Sequence, residues 1–447
     1  MQLDHIKRIY FIGIGGIGMS ALARYFKSRG VIVSGYDRTE TELTGQLQKE
    51  GMEIHFDDNL DKIDKAADLI IYTPAIPKTH AEYNFYLNNN YPLYKRSQVL
   101  GLLSKEKFTI AVAGSHGKTT VSSMITWILK HSGYDCSAFL GGISSNFQSN
   151  FISGDNDVMI AEADEFDRSF LQLSPNIAVI TAVDSDHLEI YGSQESIEDA
   201  FTEFANKVEI GGTVIAKSSI TILKNFREKT LKYSLHDINA DLHVAAFNIT
   251  LSGSQVELSN GMQYLLKYPG IHNIENSVAA SLVAIELGIA PELISAALNE
   301  FTGVHRRFEM IYHNHKTVFI DDYAHHPEEI RMFLYSIKEI YKGKKVTAIF
   351  QPHLFTRTRD LVDGFAASLD QADEIILLPI YPAREEPIEG VTAQIILNKI
   401  TNPNKKLLSK TELLDYIGKN QFEIICTIGA GDIDKLIKPI AALLGEK

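Results

Sequence analysis

The feature that most restricts how this chain folds is an apolar strand that runs directly into a glycine loop and then a helix. One copy runs from strand residues 8–12 into a loop at 13–18, and another from strand residues 108–113 into a loop at 114–120. In such a unit the helix begins where the strand ends, so backbone amides collect at the carboxyl edge of a parallel sheet. The repeated pattern predicts an α/β fold built on parallel sheets.

A third alternation of strands and helices follows towards the end of the chain. Its predicted strands, residues 317–320, 346–350 and 374–378, are rich in isoleucine, valine and phenylalanine. A length of 447 residues also exceeds what one hydrophobic core usually needs. We therefore predict three domains. They are a Rossmann-like domain at 1–106, a central P-loop domain with a parallel sheet at 107–307, and a Rossmann-like α/β domain at 308–447.

Charge and cysteine content exclude several classes of protein. The formal net charge is -13 and the isoelectric point is near 5.6, whereas non-specific nucleic-acid binding needs a basic surface that displaces counterions. Neither Cys136 nor Cys426 lies in a CxxC or Cys/His cluster. We therefore expect no nucleic-acid partner, no zinc or redox site and no disulfide.

The start of the chain and its apolar segments bear on location. Residues 1–5 are polar and lead directly into a strand, unlike a signal peptide. No apolar run in the sequence approaches the roughly 20 residues that a membrane-spanning helix needs. We expect a cytoplasmic protein that does not insert into membranes.

The first glycine loop matches the pattern GxGxxG directly after a strand, and an acidic residue follows the next strand. This spacing suits backbone amides that hold a diphosphate at a helix N-terminus. The ligand is a dinucleotide or a UDP-sugar, and the alternative is a tight turn that only permits close packing of helix and sheet. The candidate ligand-binding residues are Gly15, Gly16, Ile17, Gly18 and Asp37.

The second glycine loop carries a lysine for phosphate charge and hydroxyls for a magnesium ion. It departs from the usual GxxxxGK[ST] spelling, because Val112 stands five residues before Gly117. Its position between a buried strand and a helix still favours a phosphate loop over a loop without function. The candidate residues are Gly114, Ser115, His116, Gly117, Lys118, Thr119 and Thr120.

Acidic and histidine side chains follow two further predicted strands. The run 162–167 begins with Glu162 where one strand stops, and 184–187 ends with His187 after the next. Carboxylate oxygens and a neutral imidazole there are able to bind a metal ion on a nucleotide. The alternatives are an acidic helix cap and a structural histidine.

Cationic and polar groups also gather at the predicted strand ends of the last domain, at 305–308, 321–326 and 351–359. Guanidinium groups suit phosphates and carboxylates. Inter-domain ion pairs for the arginines and hydrogen-bonded loop positions for the histidines explain them equally well at this point.

Taken in order, these segments resemble the Mur ligases over essentially the whole chain. An ordered set of this kind is far more specific than any one motif. The segments that carry the resemblance are 13–20, 114–120, 162–165, 186–187, 306–308, 322–327 and 351–357.

The resemblance implies a UDP-sugar in the first domain, ATP in the second, and amino acid and nucleotide positioned by the third. The motifs are most similar to family members that join L-alanine to UDP-N-acetylmuramate for peptidoglycan synthesis. In that chemistry the lactyl carboxylate takes the γ-phosphate of ATP, and the amine of L-alanine attacks the acyl phosphate. Whether such a chain is a monomer or a homodimer stays open.

The resemblance also implies roles for single residues. Lys118 would hold the β- and γ-phosphates, Thr119 and Glu162 one Mg²⁺, and His187 a second. Asn276, Arg307 and Asp322 would contact the nucleotide. Tyr323, His353 and Arg357 would lie near the substrates, where a guanidinium clamps the carboxylate of the amino acid.

Leu354 marks a departure, because some relatives carry a second arginine after the histidine. A family member that recycles UDP-N-acetylmuramate onto a tripeptide is therefore an alternative. The segments 13–20 and 351–357 favour the alanine-adding activity.

Two other classes compete with a ligase. A nicotinamide-dependent oxidoreductase explains the loop at 13–18 and Asp37, but leaves Lys118, Glu162 and His187 without a role. A non-catalytic nucleotide sensor would tolerate loss of His187 or Arg357 without change in ATP affinity.

Overall fold

The computed structural model describes residues 3–184, 188–222, 229–383 and 385–445. The chain has a three-domain α/β architecture and packs into two compact units. Unit one consists of Met1–Ala245, Leu258–Met262 and Asn276–Phe301. Unit two consists of Ala246–Glu257, Gln263–Glu275 and Thr302–Lys447.

The first sheet and its helices belong to unit one. The strands are β1 (Arg8–Ile12), β2 (Ile32–Tyr36), β3 (Glu53–His55), β4 (Leu69–Tyr72) and β5 (Leu93–Lys95). The helices are α1 (Ile17–Ser28), α2 (Glu42–Lys49), α3 (Ala81–Asn88) and α4 (Arg96–Glu106), and a 3-10 turn covers Leu3–His5.

All five strands run parallel in the order β3-β2-β1-β4-β5. The chain therefore continues to one side of β1 and then to the other, and the loop after β1 lies where the strand order reverses. Such a switch point leaves a crevice at the carboxyl ends of the strands. Gly13, with φ of +90°, turns the chain out of β1, and its amide donates to the carbonyl of Tyr36 at 2.8 Å. This places the first glycine loop in the crevice.

The middle of the chain supplies most of the remaining strands. They are β6 (Phe108–Ala113), β7 (Ser137–Ser144), β8 (Ser149–Ile152), β9 (Val158–Glu162), β10 (Ile177–Ile180), β11 (Thr213–Lys217), β12 (Lys229–Ser234), β13 (Leu242–Thr250), β14 (Gly253–Leu258) and β15 (Gln263–Leu266). The helices are α5 (Lys118–His131), α6 (Leu188–Tyr191), α7 (Gln194–Ala205), α8 (Ile271–Glu286) and α9 (Pro291–Asn299), with a 3-10 segment at Phe166–Gln172.

In unit one the central sheet runs in the order β12-β11-β10-β6-β9-β7-β8, parallel except for the edge strand β8. In unit two β14 pairs antiparallel with β15. Strand β6 is buried from Thr109 to Ala113 and lies between β9 and β10. The loop after β6 therefore meets the ends of β9 and β10, so the second glycine loop also occupies a switch point.

Helix α1 packs on β7 and β8 within unit one. Tyr25 contacts Phe139, with ring centroids 5.5 Å apart. Beside this apolar contact, the buried Asn150 amide donates to the carbonyl of Ile17 at 2.5 Å and accepts from Arg24. The first turn of α1, which follows the first glycine loop, is thus fixed to the central sheet.

The last sheet lies in unit two. Its strands are β16 (Glu309–His313), β17 (Val318–Asp322), β18 (Val346–Phe350), β19 (Glu374–Leu377), β20 (Lys405–Leu407) and β21 (Ile424–Ile428). The helices are α10 (Pro327–Ile340), α11 (Phe355–Asp360), α12 (Val362–Leu369), α13 (Ala393–Lys399), α14 (Lys410–Lys419) and α15 (Ile437–Gly445), with a 3-10 turn at Asp432–Leu436.

The order in this sheet is β16-β17-β21-β18-β19-β20, with only β16 antiparallel. Apolar side chains cover both faces. The predicted end of β17 was wrong by two residues, because Asp321 and Asp322 continue the register opposite Thr427 and Ile428 of β21. The two carboxylates therefore lie inside the sheet and not beyond it.

Three further features concern the cysteines, the length of the helices and the starts of α1 and α5. Both cysteines are buried and free. In the portion of the chain that is described, no helix has the length and apolar character needed to cross a membrane. Helix α1 begins at Ile17 and α5 at Lys118, so the last residues of each glycine-loop segment already form the first helical turn.

A buried polar cluster lies under the first sheet. Tyr10 donates a hydrogen bond to Glu82 at 2.6 Å and lies 2.7 Å from Nε2 of His55. Glu82 is fully buried, and burial raises its pKa to about 7. Asp57 and Asp58 face the same cluster and oppose ionisation of Glu82 further.

This cluster makes stability depend on pH. Folded Glu82 keeps its proton up to about pH 7, whereas the unfolded carboxyl loses it near its ordinary value, so the free energy of unfolding falls as pH rises through this window. We expect Glu82→Gln to reduce the fall in Tm between about pH 5 and about pH 8 by about 2–4 °C. Thermal melts across that range test this. The exposed Glu53→Gln is the matched control, and an unchanged slope for Glu82→Gln would contradict the assignment.

Candidate active site

The second glycine loop needs its glycines for conformation and for space. Gly114 and Gly117 have φ of +140° and +81°, in the left-handed region that side chains disfavour. A Cβ atom on Gly114 would collide with the Thr181 hydroxyl, and one on Gly117 would lie 2.8 Å from Oδ1 of Asn276. The structure therefore places Asn276, which the resemblance assigns to the nucleotide, beside the loop.

Polar contacts fix this loop to the segment after β10. The Ser115 hydroxyl accepts from the Asp184 amide at 2.8 Å, and Nε2 of His116 lies 3.3 Å from the Asp184 carboxylate. Thr181 donates to the His116 carbonyl. The candidate metal ligand His187 follows in the same segment but lies outside the described residues.

Lys118 is the first residue of α5 and is held in a buried ion pair. Its ammonium donates to the Gly114 carbonyl at 2.6 Å and to Glu165 at 2.8 Å. Burial alone lowers the pKa of Lys118, but the charge of Glu165 and its neighbours raises it overall, and burial raises the pKa of Glu165. The lysine is therefore charged at neutral pH. Sequence reasoning gave Glu165 no role, although it stands in the acidic run 162–167.

Thr119 and Glu162 lie side by side at the start of α5 and the end of β9. The Thr119 hydroxyl donates to Oε1 of Glu162 at 3.0 Å, and the Gly141 amide donates to Oε2 at 2.8 Å. A hydroxyl and a carboxylate this close form a donor set that fits Mg²⁺. Thr120 is buried in the same helical turn. Among the described residues, no group of three or more His, Cys, Asp or Glu side chains is arranged so that it could hold a metal ion.

The first glycine loop is held by Asp37. The carboxylate accepts from the amides of Gly15 at 2.8 Å and Thr39 at 3.1 Å. A Cβ atom on Gly15 would lie 2.7 Å from the Thr44 side chain, and one on Gly18 would lie 2.6 Å from the Arg96 guanidinium. Asp37 therefore fixes the loop conformation, in addition to any contact with a ligand.

A cavity of about 330 Å³ runs between this loop and the end of β9. Gly16, Ile17 and Gly18 line one side, and Glu162 lines the other. Arg96 lies between them. Sequence reasoning missed Arg96, although a cation directly after a short strand, β5, was a signal for it.

In unit two, three candidate residues surround the start of β16 and the end of β17. The Arg307 guanidinium lies 5.0 Å from the ring centroid of Tyr323 and 3.7 Å from the Glu329 carboxylate. Asp322 accepts from the Phe308 and Ala324 amides, each at 2.7 Å. Burial raises the pKa of Asp322 to about 7, against the lowering effect of the Arg307 charge.

His353 and Arg357 lie beyond β18 at the same edge of the sheet. The His353 ring stacks on Tyr381 with centroids 5.7 Å apart and lies 6.3 Å from His325. Arg357 is 9% exposed within α11. The Glu385 carboxylate accepts from the Phe355 amide at 2.5 Å and fixes the start of this helix. The sequence gave no signal for Tyr381 or Glu385, since both come from a loop after β19.

The candidate residues thus form one group in each compact unit. Unit one holds both glycine loops, Asp37, Glu162 and Asn276, and unit two holds Arg307, Asp322, Tyr323, His353 and Arg357. A phosphate loop with a charged lysine at a helix N-terminus, combined with a second glycine loop on its own parallel sheet, is typical of modular nucleotide-using α/β enzymes.

Comparison with known families defines the class further. Residues 8–108 match the family described as Mur ligase family, catalytic domain. Residues 112–284 match the Mur ligase middle domain, and residues 306–430 match the Mur ligase, glutamate ligase domain. The chain belongs to the Mur ligase family.

Two curated relatives show the extent of this similarity. The UDP-N-acetylmuramate--L-alanine ligase of Cytophaga hutchinsonii is 46% identical over 463 residues, covering 100% of this chain and 99% of the relative. The enzyme of the same name from Flavobacterium johnsoniae is 46% identical over 458 residues, with 100% of both chains covered.

Two solved structures have the same fold over nearly the whole chain. The UDP-N-acetylmuramate-alanine ligase of Thermotoga maritima matches with a TM-score of 0.85 and 30% identity, over 99% of this chain and 100% of the other. A murein peptide ligase from Psychrobacter arcticus matches with a TM-score of 0.73 and 23% identity, over 99% of each chain. The second match shows the shared fold alone.

The crowding at Gly117 gives a test of the phosphate loop. We expect Gly117→Ala to lower affinity for ADP at least about tenfold, because left-handed strain of about 1–2 kcal/mol adds to the contact with Asn276. Gly133→Ala is the matched control, since Gly133 has φ of +78° but no atom within 4 Å of the added Cβ. Calorimetric titration measures both. Equal losses in the two variants would show that the loop geometry does not matter for binding.

Proposed function

We propose that this chain joins L-alanine to the lactyl carboxylate of UDP-N-acetylmuramate at the expense of ATP, as a step in the synthesis of peptidoglycan precursors. The observation that carries the proposal is the cavity in unit one, which leads from the first glycine loop to Glu162 beside the phosphate loop. The full-length relatives with this activity in their names support it. We place the reaction in the cytoplasm and divide the chain into domains at 106/107 and 307/308.

The phosphate loop would bind the triphosphate of ATP. Backbone amides at the start of α5 and the ammonium of Lys118 face phosphate charge, which phosphoryl transfer chiefly needs. Thr119 and Glu162 would hold a magnesium ion, and His187 would contribute to a second. When bound, such an ion neutralises charge on the phosphates and on the substrate carboxylate.

The first glycine loop would bind the diphosphate of the UDP-sugar. The amides at the N-terminus of α1 attract anions, and Asp37 keeps Gly15 in place. The sugar would then extend into the cavity towards Glu162. This orientation brings the lactyl carboxylate to the end of the site where ATP is bound.

The chemistry follows in two steps. A carboxylate oxygen attacks the γ-phosphorus, and the bond between the γ-phosphorus and the oxygen that bridges it to the β-phosphate breaks. ADP departs, and the substrate is now an acyl phosphate. The amine of L-alanine attacks the acyl carbon, and phosphate leaves from the tetrahedral intermediate while the nitrogen gives up one proton to the departing phosphate or to solvent. The enzyme contributes mainly positioning and charge neutralisation.

Unit two would supply the remaining contacts. We assign Arg307 and Asp322, with Asn276 from unit one, to the nucleotide. Tyr323 and His353 would lie near the substrates, and the buried guanidinium of Arg357 would bind the carboxylate of L-alanine.

Variants of the ion pair between Lys118 and Glu165 distinguish the catalytic role of the lysine from its contribution to stability. We expect Lys118→Ala to lower kcat at least about a hundredfold and also to lower Tm, because it leaves Glu165 buried without its cation. The double variant Lys118→Ala/Glu165→Gln should recover Tm but not turnover. Steady-state kinetics and thermal melts on both proteins test this. Wild-type-like turnover in either variant would refute the role of the lysine.

The acceptor is tested by phosphate release. We expect release only when both UDP-N-acetylmuramate and an amino acid are present, with kcat/KM for L-alanine above that for L-serine or glycine. The tripeptide acceptor of the recycling activity serves as the comparison. Turnover with the tripeptide but not with L-alanine would overturn the proposed substrate and favour the alternative that Leu354 raised.

A further inference from the structure

Arg96 places a guanidinium inside the cavity of unit one without a close partner. It is the first residue of α4, and its side chain is 23% exposed. Its ion pair with Asp164 spans 3.6 Å, beyond hydrogen-bond distance. Within the described part of the chain no hydrogen bond to the side chain is found. A guanidinium carries five N–H donors, so this group is prepared to bind an acceptor from outside the protein.

The charges of the cavity point to an anionic acceptor. Of the cavity-lining residues in the described ranges, Arg96 is the one cation, whereas Glu162 and Asp164 are acidic. An oxyanion that enters next to two carboxylates is repelled unless a cation faces it. Arg96 also lies against Gly18, whose added Cβ would be 2.6 Å from Nη1. The absence of a side chain at Gly18 leaves the room that the guanidinium occupies.

We infer that Arg96 is a positioning residue that binds an oxyanion of the UDP-sugar between the first glycine loop and Glu162. This inference rests on the proposed function. The substrate offers two such groups, the diphosphate and the lactyl carboxylate, and a planar guanidinium binds either through paired hydrogen bonds. In both cases Arg96 sets how far the sugar reaches towards Glu162.

Calorimetric titrations of UDP-N-acetylmuramate, UDP-N-acetylglucosamine and ADP test this without turnover. We expect Arg96→Ala to weaken binding of UDP-N-acetylmuramate at least about tenfold, with ADP affinity unchanged and Arg96→Lys intermediate. Lys95→Ala is the matched control, because it removes the same charge one residue earlier, where Lys95 pairs with Asp167 at 3.1 Å. This control should bind like the wild type.

The second sugar identifies the group that Arg96 binds. UDP-N-acetylglucosamine lacks the lactyl carboxylate, so an equal loss for both sugars assigns Arg96 to the diphosphate, and a loss confined to UDP-N-acetylmuramate assigns it to the carboxylate. Unchanged affinity for both sugars in Arg96→Ala overturns the inference. So does a loss of ADP affinity and Tm together, which would mark a purely structural ion pair with Asp164.

Failure of the inference and failure of the proposed function are distinguishable. A wild-type chain that binds neither sugar, or that binds them but releases no phosphate with L-alanine, overturns the function. A wild-type chain that performs the reaction while Arg96→Ala binds both sugars normally overturns only the role of Arg96.

Discussion

The site in unit one depends on a charged lysine that is largely buried. Lys118 is able to stay protonated inside the protein because Glu165 lies 2.8 Å away and further carboxylates surround the pair. A buried ion pair is tolerated only when its geometry and hydrogen bonds offset the cost of desolvation. The Gly114 carbonyl supplies one of those bonds. The same arrangement therefore fixes the loop conformation and keeps a positive charge at the start of α5.

Sheet topology explains why this lysine and the first glycine loop take part in one site. In both sheets of unit one, the strand before the glycine loop lies between two parallel strands, and the chain extends the sheet first on one side of it and then on the other. Each loop therefore lies in a crevice at the carboxyl ends of the strands. Helix α1 then joins the two through Asn150 of β8, which donates to the Ile17 carbonyl and accepts from Arg24, both of them on α1. The two glycine loops, which are the candidate sugar and nucleotide sites, are thereby joined by one polar and apolar contact between α1 and the central sheet. The cavity with Arg96 lies between the same elements.

Burial also raises the pKa of two carboxyls, one outside the proposed chemistry and one assigned to the nucleotide. Glu82 and Asp322 are both carboxyls whose pKa burial raises to about 7, in unit one and unit two respectively. Glu82 is held by Tyr10 in a closed polar cluster, whereas Asp322 is held by two backbone amides beside Arg307. The same physical cause thus makes stability depend on pH in one place and acts at a candidate binding edge in the other.

The sequence by itself determined the α/β fold, the two glycine loops and the family. Strands such as Arg8–Ile12, Phe108–Ala113 and Val346–Phe350 were predicted to the residue, because fully buried parallel strands form unbroken apolar runs bounded by turn residues. The edge strands, the antiparallel pairs and the central strands β11 and β21 were not foreseen. The roles of Lys118, Glu162 and Arg357 were proposed from motif position alone.

Only the tertiary structure decided which side chains meet. Glu165 as the partner of Lys118, Asn150 under the first loop, and Arg96 in the cavity come from elements distant in sequence or from positions that match no motif. Their contacts arise from strand order and helix packing, which local patterns do not encode. The sequence specified the chemical groups, and the packing of sheets and helices set their distances and their charges.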